Sequence, residues 1–241
     1  MSQELEAFTD IVDKQRNAAV EILSKNAIAL QNEIATFGTR WNSIKPTEVE
    51  ISELSGVEDT LNNLETYLGD FDYLRDEVSK ISQSFSQFSL EEPDFHAIDN
   101  IQADLDSTLS AWRILHEYIV ELDGIKEKSW IDFRSNVFIL EDLRVKWNEK
   151  VKQINNNKME QKMVLAHIID DLVTIRLAVP ALKYCRGEAF KEDHWSELLQ
   201  GKLGLPGLVR LDNLTCRHFF LAISILGEPS SLKFVKDLQA R

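Results

Sequence analysis

Residues 54–88 read LSGVEDTLNNLETYLGDFDYLRDEVSKISQSFSQF. The apolar side chains fall at Leu54, Val57, Leu61, Leu64, Leu68, Phe71, Leu74, Val78, Ile81, Phe85 and Phe88. Successive steps of three and four residues form a heptad seam, with one extra step of three, a stammer, at Phe71. Such a seam occupies one narrow side of an α-helix. It requires a second helix against it, from the same chain or from another.

The neighbouring segments carry the same period. Upstream, a helix is predicted from about Glu4 to Thr39, with Leu5, Phe8, Val12, Val20, Leu23, Leu30, Ile34 and Phe37 as its stripe. Gly38 and then Pro46 are its stops. After Glu91-Glu92-Pro93 a third helix begins near Asp94 and runs through Trp112 to Leu122, with Gly124 as a possible break. A fourth carries Trp130, Phe133, Val137, Leu140, Leu143, Trp147, Val151 and Ile154, followed by Asn155-Asn156-Asn157 as a loop or hinge. No β-branched stretch alternates with period two over a strand's length. The fold class is all-α: an elongated, coiled-coil-like bundle of long helices followed by shorter ones.

Glycine and proline mark the change from long to short. Gly38, Gly56, Gly69 and Gly124 are thinly spread, whereas Gly187, Gly201, Gly204, Gly207 and Gly227 crowd the C-terminal part with Pro180, Pro206 and Pro229. Both residue types interrupt helices. Charge divides similarly. Residues 151–241 hold 13 Lys and Arg against 10 Asp and Glu, leaving 14 against 30 for residues 1–150. The acidic part disfavours nucleic acid and anionic lipid, whose phosphates it repels; a solvated face on long helices accounts for it. The longest apolar run, Phe219 to Leu226, is far short of a membrane span and contains Ser224. The first residues, MSQELEAFTD, lack a signal peptide's basic and apolar segments. Two cysteines, Cys185 and Cys216, suit a reducing compartment rather than a disulfide framework.

Catalytic chemistry finds no constellation. No phosphate loop of the G-x-x-x-x-G-K-[ST] kind occurs, and the Gly201-Lys202-Leu203-Gly204-Leu205-Pro206-Gly207 run reads as a helix stop and turn. Cys185, His194, Cys216 and His218 lack the close pairing of zinc ligands and read as buried thiols and partly exposed imidazoles on helices. His96, His116 and His167 show no acidic or thiol partner at ligand spacing. Adjacent Asp170 and Asp171 point about 100° apart on a helix, which rules out a shared acid–base role. The sequon Asn213-Leu214-Thr215 would matter only in a secreted protein. Trp41, Trp112, Trp130, Trp147 and Trp195 read as core residues. No catalytic, cofactor or metal residue is assigned.

The last third carries a resemblance. Ala178-Val179-Pro180-Ala181-Leu182-Lys183-Tyr184-Cys185-Arg186-Gly187-Glu188, then Asp193-His194-Trp195 with Leu198, then Leu203-Gly204-Leu205-Pro206 resemble the start of the linker in dynein heavy chains. The likeness is greatest to the cytoplasmic dynein 2 branch, which serves retrograde intraflagellar transport. Asp193 stands where most of the family has arginine. The close resemblance covers roughly residues 160–220. It implies a helical tail segment over residues 1–157 and the start of the motor linker over 158–241, with Pro180, Leu182, Tyr184, Gly187, His194, Trp195, Leu198, Gly204 and Pro206 as the structural linker motif.

It further implies a force-transmitting segment without its own ATP or magnesium site, those belonging to the whole motor chain. The partners implied are a second heavy chain, intermediate and light intermediate chains, and intraflagellar transport trains. Microtubules would be met only through other regions, in cytoplasm and cilium. The alternative is a spectrin-like scaffold, which suits the heptad seam and the spacing of Trp112, Trp130 and Trp147; an internal repeat of bundle length is not visible.

In this motif Pro180 is expected to end a helix over Met159–Val179. Trp195, Leu198 and Leu199 are expected to share a buried face, with Lys191 and Glu192 in water.

Overall fold

The computed structural model describes residues 2–49, 53–154, 159–186, 190–205 and 211–241, and is all-α. Among the described residues no strand occurs; Ser129 and Thr215 form a lone antiparallel bridge. The three long helices are α1 (Ser2–Ile44), α2 (Leu54–Gln87) and α3 (Ala97–Lys126). Shorter ones follow: α4 (Trp130–Phe133), α5 (Phe138–Gln153), α6 (Met159–Tyr184), α7 (Glu192–Ser196), α8 (Cys216–Leu221), α9 (Ile223–Leu226) and α10 (Pro229–Ala240).

The chain forms two compact units, Met1–Pro46 with Thr60–Leu109, and Thr47–Asp59 with Ser110–Arg241. Helices α2 and α3 each contribute to both. These are packing units.

In the first unit, α1 buries Ala27, Leu30, Ile34, Phe37 and Trp41. Those spacings complement the α2 seam, and the seam finds its partner within the chain. Every seam residue of α2 is buried or half-buried. Phe37 meets Phe71 with ring centroids 5.8 Å apart, and Trp41 meets Tyr67 at 6.2 Å. Trp41 Nε1 donates to Asp104 at 2.6 Å, and Lys45 pairs with the same carboxylate at 3.1 Å.

Several boundaries differ from the sequence reading. Helix α1 continues through Gly38 to Ile44. A Cβ on Gly38 would lie 3.2 Å from Ile101 Cδ1, so this glycine lets α1 approach α3 and does not stop the helix. Phe8 and Val12, expected on the buried stripe, are exposed. The reason is length: Arg16 already reaches the Phe88 carbonyl just beyond the end of α2, at 3.3 Å, and α1 runs on past it.

The end of α2 is made by Ser89 in the left-handed region (φ 56°), with the Leu90 N–H donating to the Phe85 carbonyl at 2.9 Å. Gly124 does not break α3, where flanking Leu122 and Ile125 are buried. The predicted fourth helix is two, α4 and α5, joined by a 3₁₀ turn at Arg134–Asn136. The Asn155-Asn156-Asn157 hinge lies outside the described residues.

In the second unit α6 is central, and α5, α9 and α10 all pack on it. Tyr118 of α3 meets Trp147 of α5 edge-on at 5.2 Å, and Trp147 Nε1 donates to Glu121 at 3.0 Å. All five tryptophans are buried, as the helical spacing implied.

Candidate functional site: the turn after α6 and its anchors

Helix α6 does not end before Pro180; it passes through to Tyr184. Proline removes one N–H and leaves the carbonyl four residues earlier without its bond. Here Pro180 and Arg176 are both on the exposed face, where water can serve that carbonyl. The next turn is held by burial of Ala181, Leu182 and Cys185. Tyr184 is half-buried, and Lys236 Nζ lies 5.0 Å from its ring centroid. Gly187 and Pro206, two of the expected motif residues, lie outside the described residues.

Trp130 anchors the turn. Its indole N–H donates to the Cys185 carbonyl at 3.1 Å, and its backbone N–H donates to the Leu214 carbonyl at 2.7 Å. Its ring lies 4.0 Å from that of Phe219, the planes 34° apart. Beside it, Arg134 donates to the Arg186 carbonyl at 2.7 Å and the Cys216 N–H to the Lys128 carbonyl at 2.9 Å. The residues after α3 are thus tied both to the end of α6 and to the start of α8. Burial pushes the thiols of Cys185 and Cys216 up to about 12, so both stay protonated at neutral pH.

Helices α7 and α8 start in the same way. The Lys191 N–H approaches His194 Nδ1 at 3.4 Å, and the Thr215 N–H donates to His218 Nδ1 at 3.1 Å. In each, a histidine at the third helical position takes the role that Glu or Gln has in a capping box. An aromatic residue follows each histidine, and both Trp195 and Phe219 are buried. His194, expected to be partly exposed, is buried, with Phe190 packed edge-on against it and against Trp195. His218 is half-buried. Trp195, Leu198 and Leu199 are buried together while Lys191 and Glu192 are exposed.

Beyond Ser196 the helix widens into a π-helical turn, Glu197–Lys202. It closes with the Leu203 N–H on the Leu198 carbonyl and the Leu205 N–H on the Leu199 carbonyl, each at 2.9 Å. Gly204, at φ 65°, supplies the left-handed residue for this stop, and Leu203 and Leu205 are buried on either side.

A cavity of about 180 Å³ opens where α3, α6 and α8 meet, lined by Lys126, Asp171, Thr174, Arg217, Phe220 and Leu221 among others. Burial raises the Asp171 carboxyl above its ordinary range, although His167, 4.0 Å away, and Lys126 pull it back. Burial and then the Asp171 carboxylate push the Tyr118 phenol up. Burial lowers Lys126, whose ammonium lies 5.5 Å from the Phe220 ring centroid. Arg217 pairs with Asp123 at 2.7 Å and with Glu127.

The histidines read as partnerless each have a carboxylate within ion-pair range. His96 has Asp99 at 3.7 Å, His116 has Glu58 at 3.7 Å, and His167 has Asp171. None is a ligand cluster: among the described residues no three His, Cys, Asp or Glu converge as metal ligands. The arrangement ties backbone segments together around Trp130. Sequence reasoning marked Trp195, but took Trp130 only as core and missed Arg217. The partners of Arg217 lie about 90 residues away, out of reach of any local pattern.

An all-α chain whose turn after α6 is fixed in this way matches a known family over residues 98–220, described as dynein heavy chain, N-terminal region 2. The chain belongs to that family, which decides against the scaffold alternative. It is similar to cytoplasmic dynein 2 heavy chain 1 of Mus musculus, 26% identical over 211 residues, or 87% of this chain and 5% of the relative. The namesake of Chlamydomonas reinhardtii is 24% identical over 246 residues, covering 100% of this chain and 5% of the relative. That of Caenorhabditis elegans is 28% identical over 179 residues, or 73% and 4%. The chain therefore spans about 5% of the length of the relatives it matches. No solved structure matches it.

Proposed function

We propose that this chain is the tail-to-linker segment of a dynein 2-type heavy chain, a minus-end-directed microtubule motor of retrograde intraflagellar transport. The observation that carries the reading is the family match over residues 98–220, together with relatives named as dynein 2 heavy chains. Residues 1–157 serve as helical tail, and residues 158–241 begin the linker that transmits force from the ATPase ring. ATP and magnesium are bound by other parts of the whole chain, and this segment catalyses nothing. A second heavy chain, intermediate and light intermediate chains, and transport trains are its partners, in cytoplasm and cilium.

Within that reading, the motif residues from Pro180 to Leu205 set the first bend of the linker. The locked backbone around Trp130 and the burial of Trp195 support this, because a lever passes on force only if its joint does not yield. The test is the complete motor carrying Trp195→Ala. Its gliding speed on microtubules is expected to fall while basal ATP turnover stays within about twofold. Unchanged speed with normal turnover would remove the linker role.

A further inference from the structure

The cavity between α3, α6 and α8 holds a lysine that no carboxylate pairs. Leu122, Ile175, Phe220 and Ile223 give it an apolar wall. Two cations line it, and they are held differently. Arg217 is paired with Asp123 and Glu127. Lys126 makes no ion pair among the described residues. It is half-buried, and its ammonium lies 5.5 Å from the centroid of the Phe220 ring. Among the described residues the other half-buried lysines are Lys45, Lys150 and Lys202. Each of those is paired, with Asp104, Glu117 and Glu228 in turn.

The carboxylates of Asp171, Asp123 and Glu53 act on Lys126 from beyond pairing range. Burial, helped by the Arg217 guanidinium, outweighs them and loosens its hold on the proton. An ammonium stripped of part of its water gives up a proton more readily, and the neutral amine is a nucleophile. The cavity also has room for what that amine would take on. An acetyl group needs little more than a water's share of about 30 Å³, against the cavity's 180 Å³. Acylation makes the nitrogen a neutral amide and removes the cost of holding a charge against an apolar wall.

We propose that Lys126 is an acylation site whose amide product lies in the cavity between α3, α6 and α8. The neutral Nζ attacks the acyl carbon of a small acyl thioester. The C–N bond forms, the C–S bond breaks, and the thiol leaves with the proton that the nitrogen loses. The modification withdraws one cation from beside Asp171 and Phe220 and occupies the void. It does not depend on the motor reading, and either can fail without the other.

Competitive labelling of the 241-residue chain with acetyl-coenzyme A near neutral pH, read at each lysine by peptide mass spectrometry, tests this. In the folded chain Lys126 is expected to react at least about threefold faster than the exposed lysines. In the same chain unfolded by guanidinium the difference is expected to vanish. Thr174→Phe fills the cavity from a half-buried position on its wall. It is expected to bring Lys126 to the rate of the exposed lysines or below, with unchanged labelling of Lys150 and Lys202 showing that the variant folds. A wild-type Lys126 that reacts no faster than the exposed lysines overturns the proposal. So does a fast Lys126 that Thr174→Phe leaves unaltered in a folded chain.

Discussion

The α1–α2–α3 bundle and the region from Trp130 onward are both helical, yet they are held by different means. In the bundle one rule repeats: an apolar residue every three or four positions on α1 faces the same on α2, and Phe37–Phe71 is one rung among many. After Trp130 few rungs repeat. Single fits take over, such as an indole N–H on the Cys185 carbonyl, a bridge between Ser129 and Thr215, and two histidines that cap helices. A repeated seam spreads stability along its length, whereas a joint made of single fits concentrates it in a few side chains. Each such fit specifies one geometry.

Paired truncations test this contrast most severely. Trp130→Ala and Phe71→Ala each remove a fully buried aromatic ring, at a cost of about 3–5 kcal/mol. Hydrogen exchange is expected to separate them. Trp130→Ala should lose protection across the end of α6 and the start of α8 together, since its indole N–H bonds the Cys185 carbonyl and its ring packs on Phe219. Phe71→Ala should lose it within α1 and α2 only. If Trp130→Ala loosens α4 alone, the joint is not organised around that residue.

The caps come next. His194→Ala removes the acceptor that meets the Lys191 N–H and should cost about 0.5–2 kcal/mol, the range of a lost helix cap. Limited proteolysis is expected to increase between residues 185 and 205 and to leave the bundle uncut. Unchanged cleavage there would mean that Trp195 and Leu198 hold α7 without the cap.

The smallest effect is electrostatic. Burial alone would raise the Glu121 carboxyl, but hydrogen bonds from Lys146 and Trp147 and the charges of Lys146 and Lys150 carry it below its ordinary range. A carboxyl lowered by folding adds stability above its unfolded value of 4.5, lost as pH falls through the folded value. Glu121→Gln should therefore cost about 0.5 kcal/mol at neutral pH, typical of a partly exposed pair. The gap to wild type should close in urea titrations as pH is taken below 4.5. A gap that persists in acid would assign the effect to packing instead.

The sequence by itself determined the all-α class, the long helices, the buried tryptophans and the family. Each rests on information carried within a few turns of helix or in a contiguous motif. It could not give the path of α6 through Pro180. That depends on which side of the helix faces water, a property set by α5, α9 and α10. Gly38 looked like a stop because glycine disfavours helix, and only the nearness of Ile101 shows it as a place of close approach. Trp130 looked like any core tryptophan until Cys185 and Leu214 were brought to it, and Arg217 found Asp123 and Glu127 only in the folded chain. Periodicity is local and can be read along the chain. A hydrogen bond between residues 55 or 90 positions apart exists only once the fold has closed the distance.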